Sequence, residues 1–285
     1  MSVEPPPGAV LAAVAAALAE DLGADGDLTG ALLDPSATAR ADIVSREPGV
    51  LAGEACALET FRQVDDSVEV RFERHDGDAL APGDVVASVS GSMRAIVAAE
   101  RTALNFLGHL SGIATKTRLL VDAVHAVDAH VAVLDTRKTT PGLRALEKAA
   151  VRAGGGTNHR SSLSESVLLK DNHLGVLSIA DAVARAGALW PGTRVEVECD
   201  TAEQVDEAVA AGATAVLLDN MSPGLVAACV KRVRAAGAAV FIEASGGITL
   251  DTAPAYAAAG VDAVSSGALT HSVAVLDLGM DLREG

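Results

Sequence analysis

Residues Val195–Asp219 read VEVECDTAEQVDEAVAAGATAVLLD, and this stretch indicates the fold of the C-terminal half of the chain. A short strand-like run, Val195–Glu198, ends on a glutamate, and a second run, Ala215–Asp219, ends on an aspartate. The alanine-rich segment between them, Thr201–Ala211, has a helical pattern. A strand, a helix and another strand in this order are typical of parallel strands joined by a crossover helix.

The same alternation continues on both sides of this stretch. Short apolar runs recur, each ending on a polar or charged residue, at Val131–Asp135, Val167–Lys170, Val195–Glu198, Ala215–Asp219, Val240–Glu243 and Ala263–Ser266. Six such units are too few for the usual eight-stranded barrel, so we predict a smaller or incomplete α/β barrel. An open doubly wound sheet is the structural alternative, and in both folds ligands bind beyond the carboxyl ends of the strands.

The first 110 residues or so have a different pattern, which mixes helix and strand signals. We predict one helix followed by three short strands, at Ala9–Leu22, Ala41–Ser45, Val68–Glu73 and Asp84–Ser90. Two further helices are predicted at Met93–Leu107 and Thr115–Val127, with a break near Ser111-Gly112.

Composition excludes several classes of protein. The chain has 285 residues, a formal net charge of -16 and only 2% aromatic residues, which argues against binding to nucleic acid. No stretch reaches the roughly 20 apolar residues of a membrane span. Cys56, Cys199 and Cys229 are an odd number with no CxxC spacing, so we predict a reduced, cytoplasmic protein.

Basic residues cluster in the middle of this acidic chain. Arg137 and Lys138 follow the first barrel strand, His159 and Arg160 follow a triple glycine, and Lys170 ends the second strand. These positions predict that the five side chains meet at one barrel mouth, although surface ion pairs are the alternative. Guanidinium and ammonium groups pair best with carboxylate and phosphate, so the predicted ligand is a small anion.

Three more basic residues, Arg144, Lys148 and Arg152, recur at four-residue steps. This spacing predicts one face of a helix, and we expect that face to be solvated.

Acidic residues end two successive strands. Glu198 and Asp219 should therefore lie side by side, with Glu196 on the same side of its strand as Glu198. Paired carboxylates suit Mg²⁺, and they can also stabilise positive charge that develops on a sugar. A structural ion pair with Lys170 or Lys138 is the alternative.

Two loops of small residues follow the last two strands. They are Ser245-Gly246-Gly247 and Ser265-Ser266-Gly267-Ala268. Glycine lets backbone N–H groups approach a phosphate closely, and phosphate sites are frequent late in α/β barrels. We therefore predict a 5′-phosphate site at these loops.

Several segments resemble the quinolinate phosphoribosyltransferases. The most specific are DTRKTTPGLRALEKAAVRAGGGTNHR (Asp135–Arg160) and LLKDNH (Leu168–His173). Further matches are EDLGADGDLTG, REPGVLAGE, ERTALNFLGHLSGIATKT, VEVECD, LLDN, EASGGIT and SSGALTHS. Departures are confined to Ser161-Ser162, Ser164-Glu165, Cys199 and Ser265, which put the shape of a loop in doubt and not the reaction class.

The resemblance implies a fold and a set of domains. An N-terminal α/β sandwich would occupy residues 1–112, and a C-terminal barrel of about six β/α units would occupy residues 113–272. The tail, 273–285, would pack back on the first domain. The resemblance also implies a homodimer or a hexamer, in which Arg101 of one subunit reaches the active site of its neighbour.

The resemblance further implies phosphoribosyl transfer from phosphoribosyl pyrophosphate to quinolinate, with decarboxylation and with Mg²⁺ as cofactor. Lys138, Glu198 and Asp219 are the implied catalytic residues, and Glu198 and Asp219 the implied metal ligands. The implied substrate-binding residues are Arg101, Thr136, Arg137, Lys138, His159, Arg160, Lys170, Glu198, Asp219, Ser245, Gly246, Gly247, Ser266 and Gly267.

Three alternatives stay open at the level of sequence. One is a divergent homologue of the type found with molybdenum transport genes, acting on another substrate. A second is a non-catalytic protein, which should lack the acidic pair. A third is a barrel aldolase that forms a Schiff base on Lys170, which requires a lysine with few neighbouring anions.

Overall fold

The computed structural model describes residues 3–237 and 239–283. Residues 1, 2, 238, 284 and 285, which belong to the predicted domain ranges, lie outside the described residues. The chain divides into two compact units. The first comprises the described residues up to Arg118, together with Thr139–Gly155 and the described residues from Ala268 onward; the second comprises Leu119–Lys138 and Gly156–Gly267.

Helices and strands alternate through most of the described chain. The helices are α1 (Pro7–Leu22), α2 (Glu54–Val64), α3 (Met93–His125), α4 (Arg144–Ala153), α5 (Asp171–Leu174), α6 (Ile179–Leu189), α7 (Ala202–Ala210), α8 (Pro223–Ala235), α9 (Ala253–Ala258) and α10 (Ala268–His271). The strands are β1 (Thr38–Ser45), β2 (Gly49–Val50), β3 (Glu69–Phe72), β4 (Ala79–Leu80), β5 (Val85–Ser92), β6 (Ala132–Leu134), β7 (Val167–Leu169), β8 (Val195–Cys199), β9 (Ala215–Asp219), β10 (Phe241–Ser245), β11 (Ala263–Ser265) and β12 (Leu278–Leu282).

The first unit contains an antiparallel sheet with the strand order β12-β1-β5-β3. Apolar side chains of this sheet and of α2 and α3 form one buried core, which includes Ile43, Phe61, Ile96 and Leu107. The strand nearest the chain's end, β12, pairs antiparallel with β1, and Ile43 lies opposite Met280. Strand β12, near the C-terminus, is thus an edge strand of the same sheet as the N-terminal strand β1.

Helix α3 runs without interruption through Ser111 and Gly112, so the predicted break there is wrong. A Cβ atom at Gly112 would lie 2.1 Å from the backbone oxygen of Ala274. The glycine therefore permits close packing of another segment against the helix. The Ser111 hydroxyl has a hydrogen-bond partner outside the helix, because its Oγ accepts a hydrogen bond from the Ala52 amide at 3.0 Å. The Ser-Gly pair therefore lies at a site of tight packing and does not end the helix.

The second unit contains six parallel strands in the order β6-β11-β10-β9-β8-β7. Within the described residues, β6 and β7 stay at the two edges and do not pair with each other, so the sheet does not close. Each of the six predicted runs overlaps one strand, although β8 and β10 extend one and two residues further, and four of the five residues of β9 are buried. This confirms the incomplete α/β barrel, in which helices connect nearly all-apolar parallel strands.

Helix α4 differs from the prediction of a solvated basic face. Lys148 is only 3% exposed and Glu147, on the preceding position, is fully buried. Arg144 is half-buried, and its Nε donates to Thr139 Oγ1 at 3.0 Å. The prediction failed because four-residue spacing defines a face of a helix without saying what covers that face.

Among residues 3–237 and 239–283, no helix combines the length and the apolar character that crossing a membrane requires.

Candidate active site

The carboxyl ends of the six parallel strands meet at one edge of the sheet, where a cavity of about 210 Å³ opens. Its lining consists mainly of polar and charged residues at strand ends or directly after them. They are Thr136, Arg137, Lys138, His159, Arg160, Leu168, Lys170, Glu198, Leu217, Asp219, Glu243, Ser245 and Ser265. This is the position in which α/β folds of this type bind ligands.

The predicted cations meet in this cavity. Arg137, Lys138, Arg160 and Lys170 all line it. Burial, with the charge of Arg137 nearby, lowers the pKa of Arg160. Like charges held together and partly withdrawn from water favour an anionic ligand, because the ligand offsets their repulsion.

The buried Asp135 joins the two cationic segments. Its Oδ1 accepts a hydrogen bond from the His159 amide at 2.9 Å, and its Oδ2 accepts one from Asn158 Nδ2 at 2.5 Å. Thr136 Oγ1 accepts a hydrogen bond from the Lys138 amide at 3.0 Å, which fixes the turn after β6. The loop after β6 and the loop after the triple glycine are therefore held in one arrangement.

The predicted acids line the same cavity. Glu198 is the next-to-last residue of β8, Asp219 ends β9, and these strands are hydrogen-bonded neighbours. The Lys170 ammonium forms an ion pair with the Glu198 carboxylate, so the structure contains the ion pair that was the alternative for this residue. Asp219 Oδ2 accepts a hydrogen bond from Asn220 Nδ2 at 2.6 Å. Anion-binding and acidic groups thus share one cavity.

Glu198 and Asp219 have the chemistry that Mg²⁺ requires. Both are carboxylates on adjacent strands, Glu198 is 14% exposed in its side chain, and both border the cavity. Mg²⁺ typically binds through one or two carboxylates and leaves further positions to water and substrate phosphates. The two residues therefore fit the predicted cation.

The loop after β10 has a backbone conformation that requires glycine. Ser245 lines the cavity and pairs with Asp219 across the strands. Gly246 and Gly247 have φ angles of 84° and 64°, which L side chains rarely adopt. A Cβ atom at Gly246 would also lie 2.3 Å from Asn220 Oδ1. Only glycine allows this close approach of the two loops.

Some predicted residues lie away from the cavity lining. Ser266 is 6% exposed and its Oγ donates to the backbone oxygen of Ile248 at 3.1 Å, while its neighbour Ser265 lines the cavity. Gly246, Gly247 and Gly267 do not border the cavity in this structure. Arg101 is an exposed residue of α3, in the first unit.

Two buried carboxylates next to His159 were not included in the predicted site. His159 Nε2 lies 3.1 Å from Glu196 Oε2 and 3.5 Å from Glu243 Oε2. Both glutamates are fully buried. The sequence contained a signal for them, since a glutamate inside a strand that is otherwise apolar requires a buried partner.

Burial and nearby charges shift the pKa values of these groups. Burial, with the charge of Glu196 adding to it, raises the pKa of Glu243 to about 7. Burial would raise the pKa of Glu196 as well, but the His159 hydrogen bond and the Arg194 charge outweigh it and lower that pKa. Burial opposes charge on His159, yet the two carboxylates raise its pKa overall. The Arg160 amide, which donates to Nδ1 at 2.7 Å, favours the neutral ring instead.

His159, Glu196 and Glu243 also form a group of possible metal ligands. Their donor atoms lie within 4.8 Å of one another. A metal there would have to displace the Nε2 proton, because a histidine nitrogen must be deprotonated to bind a metal. The 3.1 Å distance between Nε2 and Glu196 Oε2 is that of a hydrogen bond, which suits a proton on Nε2.

An open α/β barrel with cations and paired acids in one cavity at its carboxyl edge defines an enzyme for small anionic substrates. Comparison of the sequence with known families makes this specific. Residues 27–111 match the family described as quinolinate phosphoribosyl transferase, N-terminal domain, and residues 113–281 match its C-terminal domain. The chain belongs to the quinolinate phosphoribosyltransferase family.

Individual relatives agree with this assignment. The chain is 44% identical to a probable nicotinate-nucleotide pyrophosphorylase [carboxylating] of Bacillus subtilis, over 92% of this chain and 90% of that one. It is 43% identical to the Mycobacterium leprae nicotinate-nucleotide pyrophosphorylase [carboxylating], over 93% and 94%. The solved structure of the nicotinate-nucleotide pyrophosphorylase from Francisella tularensis superimposes with a TM-score of 0.94, at 36% identity over 99% of both chains.

Proposed function

We propose that this protein transfers the phosphoribosyl group of phosphoribosyl pyrophosphate to quinolinate and decarboxylates the product. The products are nicotinate mononucleotide, pyrophosphate and CO₂, and the reaction serves NAD biosynthesis. The observation that supports this most strongly is the single cavity in which four cations face Glu198 and Asp219. The names of the relatives, which are those of carboxylating nicotinate-nucleotide pyrophosphorylases, support it independently.

Quinolinate is a dianion, and the cationic side of the cavity suits it. Arg137, Arg160 and Lys170, with His159, would bind its two carboxylates, and Thr136 lines the same cavity. Lys138 would contact pyrophosphate or carboxylate oxygens. Arginine is well suited to binding a carboxylate, because its planar guanidinium can pair with it through two hydrogen bonds.

Phosphoribosyl pyrophosphate would occupy the acidic side of the cavity. Glu198 and Asp219 would bind the ribose hydroxyls and hold Mg²⁺, which adds positive charge next to the pyrophosphate. The loops Ser245–Gly247 and Ser266–Gly267 would surround the 5′-phosphate, with backbone N–H groups as donors. The exposed Gly247 lies in open space, which leaves room for such a ligand.

The reaction proceeds in two steps. The bond between the anomeric carbon and pyrophosphate breaks, its electron pair leaves with pyrophosphate, and the ring nitrogen of quinolinate attacks the carbon. Carboxylates near that carbon stabilise its positive charge. The pyridinium ring then accepts the electron pair when the C2–carboxylate bond breaks, CO₂ leaves, and C2 takes up a proton. No protein nucleophile is needed.

The alternatives fit the structure less well. An aldolase needs a lysine without nearby anions, yet the Lys170 ammonium is paired with Glu198. A non-catalytic protein should lack the acidic pair, yet Glu198 and Asp219 both line the cavity. A divergent homologue with another substrate is not favoured, because the relatives compared are named for nicotinate-nucleotide pyrophosphorylase activity.

We also propose a cellular location and an assembly for the protein. We place it in the cytoplasm, since its three cysteines are free and buried. We propose a homodimer, or a hexamer, in which Arg101 completes the neighbouring subunit's site. Exposure of Arg101 in the single chain is consistent with that role.

Activity of the purified protein tests the proposed function. Incubation with quinolinate, phosphoribosyl pyrophosphate and Mg²⁺ should yield nicotinate mononucleotide, identified by its mass. Nicotinate in place of quinolinate should yield little product, because it lacks the second carboxylate that the cations bind. A borohydride-trapped adduct on Lys170 in the presence of a sugar phosphate would instead support the aldolase.

A further inference from the structure

A row of ionisable side chains leads from the amino edge of the parallel sheet to the active-site cavity. Arg194 directly precedes β8, and its Nη2 donates to Glu196 Oε1 at 3.0 Å. The other oxygen of Glu196 accepts a hydrogen bond from His159 Nε2 at 3.1 Å. Glu243 Oε2 lies 3.5 Å from the same nitrogen. His159 and Glu243 border the cavity, whereas Arg194 borders a separate cavity at the strands' amino ends.

These carboxylates are placed where a charge is costly. Glu196 and Glu243 are both fully buried, and neither oxygen of Glu243 has a hydrogen-bond partner among the described residues. A buried carboxylate is rarely a net source of stability, because its desolvation exceeds what one partner returns. Apolar residues would fill the same space at lower cost, so a role in the active site is the better explanation.

Both ring nitrogens of His159 make hydrogen bonds. Nε2 faces the glutamates, and Nδ1 accepts a hydrogen bond from the Arg160 amide at 2.7 Å. The hydrogen bonds to Glu196 and from the Arg160 amide both favour the tautomer with the proton on Nε2. Through Nδ1 the ring also fixes the backbone from which the Arg160 side chain enters the cavity.

Arg194 is itself held in place from the other side. Its guanidinium carbon lies 4.4 Å from the centre of the Phe241 ring, in the geometry of a cation–π contact. Since Phe241 begins β10 and Arg194 precedes β8, the contact bridges two strands of the sheet. Glu196 is thus bound by a cation whose own position is fixed.

We propose that Glu196, held by Arg194, and Glu243 are positioning residues for the quinolinate-binding half of the site. They set the orientation and tautomer of His159 and, through Nδ1, the backbone of Arg160. Carboxylates that orient a functional histidine through its second nitrogen commonly act in this way. This inference rests on the proposed function, which places His159 and Arg160 next to quinolinate.

Steady-state kinetics of Glu196→Ala test the inference. The KM for quinolinate should rise about 10- to 100-fold, as expected for loss of one charge-assisted hydrogen bond. The KM for phosphoribosyl pyrophosphate should stay within about twofold, because that substrate occupies the acidic side of the cavity. Glu196→Gln keeps an acceptor oxygen for Nε2 and should restore most of the loss. Equal increases in both KM values would overturn the inference.

Asp262→Asn is the matched control. Asp262 forms an ion pair with Arg234 at 2.7 Å in the same unit and does not border the active-site cavity. Its variant should leave both KM values unchanged. If Glu196→Ala does not fold, as judged by circular dichroism, Arg194→Ala provides the same test from a half-exposed position.

Nitrogen-15 NMR of the histidine side chains gives a readout that does not depend on activity. His159, assigned by the loss of its signals in His159→Asn, should show a protonated Nε2 and an acceptor Nδ1 in the wild type. Glu196→Ala should shift both signals. Unchanged signals, or one bound metal ion per chain that Glu196→Ala removes, would overturn the inference. A wild type inactive on quinolinate would overturn the proposed function, whereas the NMR result would still test the positioning.

Discussion

At the scale of single residues, the cavity is lined by side chains near the carboxyl ends of the parallel strands. Lys170, Asp219 and Ser245 end or directly follow parallel strands, Glu198 is one residue from the end of β8, and all four were predicted and line one cavity. Neighbouring positions were harder to separate: Ser266 was predicted, but Ser265 borders the cavity. Successive residues of a strand point to opposite faces, so an error of one position reverses the side chain's direction.

Specific interactions between side chains were harder to predict from sequence. An ion pair of Glu198 with Lys170 was stated only as an alternative, and nothing in the order of residues indicates that His159 lies between Glu196 and Glu243. These contacts depend on side-chain conformations across three or four strands. The sequence established which chemical groups reach the cavity, and the structure established which groups bind each other.

The buried Glu243 should make stability depend on pH. Its pKa is raised from an ordinary 4.5 to about 7, so the folded protein keeps a proton that the unfolded chain has lost. The resulting stability is fully present below about pH 4.5 and is lost as the pH rises through about 7. In the Glu243→Gln variant the side chain at this position has no ionisable group, so this contribution is absent. We therefore compare the free energies of unfolding of the two proteins. The wild-type value minus the Glu243→Gln value should fall by about 3 kcal/mol between pH 4.5 and pH 8.

Urea unfolding of both proteins at several pH values measures this difference. Glu207→Gln, on the exposed surface of α7, is the control and should show a nearly flat difference. A flat difference for Glu243→Gln as well would mean that Glu243 is ionised in the folded protein throughout this range.

At the scale of elements, hydrophobic periodicity predicted the six parallel strands, and it failed at α3. The sequence Ser111-Gly112 has the composition of a break, yet the helix continues from Met93 to His125. Local propensity was overridden by packing, because Gly112 lies against the backbone of Ala274. A glycine in a helix can indicate close packing of distant segments, and this cannot be read from the local sequence.

Gly112→Ala should destabilise the protein for this reason. The added Cβ would lie 2.1 Å from the Ala274 oxygen, so backbone must move. We expect a loss of about 1–3 kcal/mol, as for overpacking of a core. Gly187→Ala in α6 is the matched control, since nothing lies within 4 Å of its Cβ position. That change should stabilise by about 0.5–1 kcal/mol, the helix preference of alanine over glycine.

Thermal and urea unfolding of the two variants distinguish these effects. Equal stability changes in Gly112→Ala and Gly187→Ala would contradict the close packing of the C-terminal segment against α3.

At the scale of the whole molecule, the family and the reaction follow from motifs that span nearly the full chain. The assembly does not, because the surfaces that join subunits involve residues far apart in sequence. The placement of Arg101 in a neighbouring site therefore stays a prediction. It can be tested through mixtures of inactive variants.

Arg101→Ala and Lys138→Ala should each be nearly inactive without unfolding. Mixed under conditions in which subunits exchange, they should regain activity, because a mixed dimer contains one site with both native residues. At equal amounts, half of the dimers are mixed and each has one intact site, so about a quarter of the wild-type activity is expected. No recovery after confirmed subunit exchange would contradict a shared site.

We propose that one cavity joins both substrates and that CO₂ is released as a consequence. The ratio of CO₂ to pyrophosphate released by the wild-type protein in one reaction tests this most directly. We predict a ratio of one to one, with neither product formed when quinolinate, phosphoribosyl pyrophosphate or Mg²⁺ is left out. Release of CO₂ without phosphoribosyl pyrophosphate, or of pyrophosphate without CO₂, would contradict it.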